Sequence, residues 1–107
     1  MNLPKVITEL LMAQNNFDSV AYANCFSDTA VVFDEGNTHK GKAEIQAWIA
    51  DANARYQAVT KPVGYEEDGN RAVLTAETSG NFPGSPIVLK YNLETENDLI
   101  QSLKITL

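Results

Sequence analysis

Cysteine and histidine are almost missing from this chain: Cys25 and His39 are the sole examples in 107 residues. A lone thiol closes no internal disulfide, and a chain without a disulfide framework fits a reducing cytoplasm. One Cys and one His cannot furnish a Cys/His zinc site, so no metal is expected. Cations are scarce too: Lys plus Arg total 8 against 14 Asp plus Glu, a formal net charge of −6. That balance argues against a duplex nucleic-acid partner, whose binding draws on counterion release from phosphate. Long apolar runs are lacking: the longest, such as Ala30-Val31-Val32-Phe33, reach four residues, so no membrane span is expected. Glu9 interrupts the only stretch that could resemble the apolar part of a leader. No G-x-x-x-x-G-K-[ST], G-x-G-x-x-G or H-E-x-x-H pattern occurs, which leaves nucleotide and zinc-protease readings without a motif and no cofactor implied.

What is present is a hydrophobic share of 44%, too high for a disordered chain. The length predicts one domain over residues 1–107, burying roughly two thirds of its unfolded surface. The first half carries a helical period. Leu3, Val6, Ile7, Leu10 and Leu11 form one helix face, with Pro4 in the first turn. Asn15-Asn16 reads as a left-handed stop. Phe17, Val20, Ala21 and Cys25 mark a second short helix, with Asp18 near its positive end and Ser27-Asp28 closing it. Residues 30–35 form a strand on which Val32 and Asp34 share one face, while Val31, Phe33 and Glu35 share the other. Gly36-Asn37 is a turn, residues 38–40 a loop, and Gly41 opens a third helix striped by Ile45, Trp48, Ile49, Ala52 and Tyr56. The period then changes to two, predicting strands at 58–66, 71–79, 87–94 and 100–107, joined by turns at residues 67–70, 81–86 and 96–98. Three helices followed by hairpin-linked strands is an α+β layout, the helices packed on one face of a strongly curved, mostly antiparallel sheet.

The order of these elements resembles the SnoaL-like branch of the NTF2-like superfamily, with ketosteroid isomerase and the small polyketide cyclases. The residues carrying the likeness are Phe26-Ser27-Asp28-Thr29-Ala30-Val31-Val32-Phe33-Asp34, then Gly41-Lys42-Ala43-Glu44-Ile45, then residues 80–86 followed by Leu89, Tyr91 and Leu93. The resemblance implies a cone in which a curved sheet wraps the helices around an apolar cavity, and a homodimer paired through the outer sheet face. It places Asp34 on the aspartate that removes a proton beside a carbonyl in the isomerases. It also places Leu10 and Leu89 where those enzymes carry a tyrosine and a protonated aspartic acid. Leucine donates no hydrogen bond, and one oxyanion donor is commonly worth about 10²–10³ in rate. Steroid isomerisation of the familiar kind is therefore not expected.

Asp34 is the residue best suited to chemistry. A carboxylate against apolar walls is poorly solvated, which raises its pKa and makes it a better base near neutral pH. The alternative is a cap for the following turn. His39 stands in the adjoining loop, either as an acid–base partner of Asp34 or as a solvated side chain. Tyr22, Phe26, Trp48, Tyr56 and Tyr91 are candidate cavity-lining aromatics, suited to a small apolar ligand or equally to core packing. Glu77 is a second acid for the cavity if its strand turns that face inward, and a solvated one if Leu74 and Ala76 turn inward. Cys25, with no adjacent base, reads as a small hydrophobe.

Three functions follow. The first is a cofactor-independent isomerase, cyclase or dehydratase acting on a small apolar molecule with Asp34 as base. The second is a non-catalytic binding protein with the same cavity. The third is an interaction module whose outer sheet face, through Leu103, Ile105 and Leu107, meets a partner or a second copy.

Overall fold

The computed structural model describes residues 2–107. Helical periodicity in the first part of the chain yields α1 (Lys5–Asn15) and α2 (Ser19–Ala23). Ile7, Leu10 and Leu11 of α1 are buried as their spacing requires, with Leu3 and Val6 at the margin. Pro4 stands one place earlier than expected, at the N-cap, where its carbonyl accepts from the N–H groups of Ile7 and Thr8 at 3.1 Å each. No left-handed Asn ends α1. Asn16 has φ −97°, and the positive φ falls on Phe17, at 53°. Asp18 Oδ1 caps α2 by accepting from Ala21 N–H at 3.0 Å. Helix α2 spans only Ser19–Ala23, and Phe17 and Val20 are exposed instead of lying on a buried stripe.

The first strand, β1 (Phe26–Asp34), begins four residues before the expected start. Its opening residues carry no alternating pattern, and a register shift between Phe26 and Val31 interrupts their pairing. The Gln101 side chain spans that gap: it accepts from Ser27 Oγ and donates to the Thr29 carbonyl. Residues 38–40, read as loop, belong to β2 (Asn37–Lys40). The turn is Glu35–Gly36, both with positive φ (51° and 76°), which is what a two-residue hairpin needs. Helix α3 (Gly41–Tyr56) follows, its start held by Glu44 Oε1 accepting from Lys40 N–H at 2.9 Å. The remaining strands are β3 (Val59–Asp68), β4 (Arg71–Ser79), β5 (Ile87–Glu96) and β6 (Leu99–Thr106).

The six strands run in the order β2-β1-β6-β5-β4-β3. Four of the five pairings are antiparallel; β1 lies parallel to β6, with Val32 opposite Leu103. The sheet is therefore mixed. It is also open, which corrects the strongly curved cone expected from the sequence: β2 and β3 are free edges with no pairing between them. Two local features oppose closure. Strand β2 offers only four residues for pairing. At the other edge, Asn15 of α1 occupies the groups a further strand would use. Its Oδ1 accepts from Thr60 N–H at 2.8 Å and its Nδ2 donates to the Thr60 carbonyl at 3.0 Å. One side chain thus imitates a strand and protects the edge.

The core lies between the inner sheet face and the helices. Val32 of β1, Leu103 of β6, Leu93 of β5 and Leu74 of β4 meet Ile7 and Leu10 of α1, Tyr22 of α2 and Ile45 of α3. Leu103 is buried there, so it is not part of an outer apolar face.

Replacing Asn15 with Ala strips both partners from the backbone of Thr60, which is buried. The expected loss is about 1–3 kcal/mol, read as a lower urea midpoint at unchanged slope. A shift below about 0.5 kcal/mol would show that the edge does not depend on this contact.

Candidate functional site

Between the inner sheet face and α3 the packing stops short and leaves a recess of about 760 Å³. Its chemistry follows from where each strand and helix places its inward residues.

Asp34 stands at one wall. Val32 points into the core, so Asp34, two residues on, faces the same way at the end of β1. His39 pairs with Val32 across the β1–β2 hairpin and shares that face. Its ring stacks on Trp48 of α3, centroids 5.5 Å apart and planes at 26°. Tyr22 meets the other side of Trp48 edge-on at 6.0 Å. Burial raises the Asp34 carboxyl above its ordinary value, and the Glu35 charge adds to the effect. The Trp48 indole N–H, the His39 ring and the Glu35 backbone N–H pull the other way without cancelling it.

Two phenols open on the same recess. Burial holds Tyr22 well above its ordinary pKa, helped by the neighbouring Tyr91 and Asp34. Burial pushes Tyr91 up to about 12, opposed by the adjacent Thr78 hydroxyl, which nevertheless falls short of hydrogen-bonding geometry. Both phenols therefore stay protonated at neutral pH and are available as donors. Leu10 is sealed in the core and Leu89 lines the recess.

The inner end is neutral and polar. Gln14, Asn53, Thr60 and Thr78 are all buried, and all line the recess. Gln14 Nε2 donates to Asn53 Oδ1 at 3.2 Å and to the Ala58 carbonyl at 2.8 Å. None of these residues was a site candidate from the sequence, yet a signal existed. Gln14 continues the stripe of Ile7, Leu10 and Leu11, and Asn53 that of Ile45 and Ile49. An amide on an apolar stripe is a buried polar group. At the mouth, Tyr56 packs edge-on against Phe82 at 6.2 Å. The Arg55 guanidinium lies 5.1 Å above the Tyr56 ring and pairs with Asp51 at 2.9 Å.

The structure thus gathers Asp34, His39, Tyr22, Trp48, Tyr56 and Tyr91 around one space. Two other sequence candidates lie elsewhere. Phe26 is fully buried behind Tyr22, ring centroids 5.7 Å apart, and does not reach the recess. Glu77 points outward: Ala72, Leu74, Ala76 and Thr78 take the inner face of β4, leaving Glu77 exposed opposite Lys61 and Val88. Ile105, opposite Tyr91, also lines the recess and does not build an outer patch, whereas Leu107 at the recess margin is 85% exposed. Cys25 is buried, its thiol pushed up to about 11 by burial, as suits an inert side chain. Among the described residues no cluster of His, Cys, Asp and Glu could hold a metal ion, and no helix is long and apolar enough to cross a membrane.

Truncating Phe26 to Ala removes core and is expected to cost about 3–5 kcal/mol. Glu77→Gln on the outer face is expected to stay within about 0.5 kcal/mol. Thermal or urea unfolding of the pair measures the contrast, and equal effects would contradict this placement.

No protein-family model matches the sequence, and no curated protein does. Solved structures do. A candidate polyketide cyclase, protein SMa1630 from Sinorhizobium meliloti, superposes with a TM-score of 0.93 at 34% identity, over 97% of this chain and 95% of that one. A protein of ketosteroid isomerase-like fold from Catenulispora acidiphila gives 0.89 at 19% identity, over 99% and 87%. An NTF2-like protein from Cytophaga hutchinsonii gives 0.79 at 16% identity, over 94% and 85%. The last two share the fold. With the first sharing a third of its residues over nearly full length, the chain belongs to the NTF2-like superfamily, among its SnoaL-like, polyketide cyclase-like and ketosteroid isomerase-like members.

Proposed function

We propose that the recess binds a small, largely apolar molecule and that Asp34 acts on it as a general base, in cofactor-independent isomerase, cyclase or dehydratase chemistry. The observation that carries this reading is a half-buried carboxyl with a raised pKa, set among Trp48, Tyr22 and Tyr91 in a space of about 760 Å³. Such a volume suits a small organic ligand. The ionised Asp34 takes a proton from a carbon of the bound molecule. The Tyr22 and Tyr91 hydroxyls, which line the same recess, serve as donors to the developing oxyanion. His39, stacked on Trp48, holds the indole beside Asp34. The sign of the wall favours a neutral or basic ligand: Asp34, Glu35 and Asp51 line the recess, and Arg55 is already paired with Asp51. Two likenesses support a small organic ligand. SMa1630 is a candidate polyketide cyclase, and the Catenulispora protein is a complex with trimethylamine.

We further propose a cytoplasmic homodimer joined through the outer sheet face. The exposed side chains of Phe33, Val59 and Val88 support it, on the side of the sheet away from the helices.

The substrate is sought as a small molecule that co-purifies with the protein, identified by mass spectrometry. Turnover of it is expected to fall about 10²–10⁴-fold in Asp34→Asn. It is also expected to rise with pH through a midpoint above the ordinary carboxylate value. Binding without turnover, unchanged by Asp34→Asn, would make this a binding protein instead. A second expectation is thermodynamic. The folded state holds its proton on Asp34 more tightly than the unfolded chain does. Stability is thus lost as pH rises from the ordinary value of 3.8 through the raised one. Asp34→Asn should therefore melt higher than the parent protein at pH 7, and the gap should close below about pH 4. A lower melting temperature for the variant at pH 7 would contradict the burial of this charge.

A further inference from the structure

At the inner end of the recess the hydrogen-bond inventory does not balance. The Ala58 carbonyl only accepts, so the Gln14 side chain must turn its NH₂ toward it. The second N–H of that group reaches Asn53, which must answer with its oxygen. Both amides are thereby fixed in orientation. Among the described residues, Gln14 Oε1 and the Asn53 NH₂ group have no hydrogen-bond partner, although the two residues are 7% and 9% exposed. Neither group is walled off. Among the described residues, Thr78 Oγ1 is the one buried side-chain polar atom that is both unpartnered and cut off from solvent. The free atoms of Gln14 and Asn53 therefore face the recess they line. This donor and acceptor are therefore open to a polar group of a molecule held in the recess.

We propose that Asn53, held by Gln14, is a second recognition point for the ligand of the recess and donates a hydrogen bond to an uncharged carbonyl oxygen. The inference rests on the functional reading above and narrows it. The ligand has an apolar body against Trp48 and Leu89 and a neutral carbonyl at the inner end. A carboxylate does not suit this end, because no cation lies among Gln14, Asn53, Thr60 and Thr78. An amide N–H donor pair discriminates strongly between a group that accepts and an isostere that cannot.

The test uses two probes of one shape, acetophenone and α-methylstyrene, which differ by a carbonyl oxygen in place of a methylene. Their affinities are read from shifts of the Trp48 indole and recess amide signals in NMR titrations. The ketone-to-alkene affinity ratio is compared between the parent protein and variants at Asn53, which cancels the different hydration of the probes. In Asn53→Leu the ratio is expected to fall about 5–10-fold, with the alkene affinity nearly unchanged. Asn53→Asp at pH 8 keeps the oxygen that receives Gln14 while offering no donor, and the same fall is expected should the leucine variant not fold. A ratio unchanged in the folded variants overturns the carbonyl assignment and leaves the recess reading intact. Failure of the parent protein to bind either probe overturns both.

Discussion

One strand register positions the whole site: β1 lies parallel beside β6, with Val32 opposite Leu103 and Phe33 opposite Lys104. Continued one residue further, it sets Asp34 level with Ile105, whose partner on the other side is Tyr91. An acid from the first strand is thereby aligned with an aromatic from the fifth, across a chain separation that no local preference could bridge. A one-residue slip would send Asp34 to solvent and Phe33 into the core. The register is held by the burial of Val32 and Leu103 and by Gln101, whose side chain repairs the irregular start of β1.

The recess exists because the helices cover the sheet without filling it. Below Val32 and Leu103 the core is dense. Beyond them, inward positions pass to Asp34, Tyr91 and Thr78, and the α3 face changes from Ile45 to Trp48 and Asn53. A space with a half-buried acid at one wall and an orphaned Thr78 hydroxyl at its inner end is a poor way to stabilise a fold. Buried carboxylates and unpaired hydroxyls both weaken the native state. Their concentration in one place, against a core that is otherwise well satisfied, is the pattern expected where stability is given up for binding.

Much of the fold was legible in the residues. The helical stripe of α1, the third helix and the four C-terminal strands follow from periodicity alone, because each buries one face. What escaped had no period to show. The β2 segment is Asn-Thr-His-Lys, polar throughout, and is a strand only because the Glu35–Gly36 hairpin lays it beside β1. Residues 26–29 are tied down by a distant Gln101. The pleat of β4 was undecidable, since Val73, Thr75 and Glu77 alternate as plausibly as Leu74, Ala76 and Thr78. The packing of Ala72 and Leu74 against the helices settles it. The strong curl of the sheet was expected both from the run of hairpin-linked strands and from likeness to other proteins, and an open sheet with a four-residue edge strand does not share it. The acid and aromatic wall of the recess was visible from Asp34 and Trp48. Its polar end was hidden because glutamine and asparagine on a helix read as surface residues until the stripe they continue is noticed.

At the centre stands a half-buried carboxyl at the wall of the recess. Its titration tests this most directly. The Asp34 side-chain carbon is followed by NMR across acid pH in the parent protein, with Asp34→Asn identifying the signal. A midpoint clearly above the ordinary 3.8 is the expected result. A midpoint at or below that value would mean that the carboxyl is solvated, and would remove the ground for proposing Asp34 as a base.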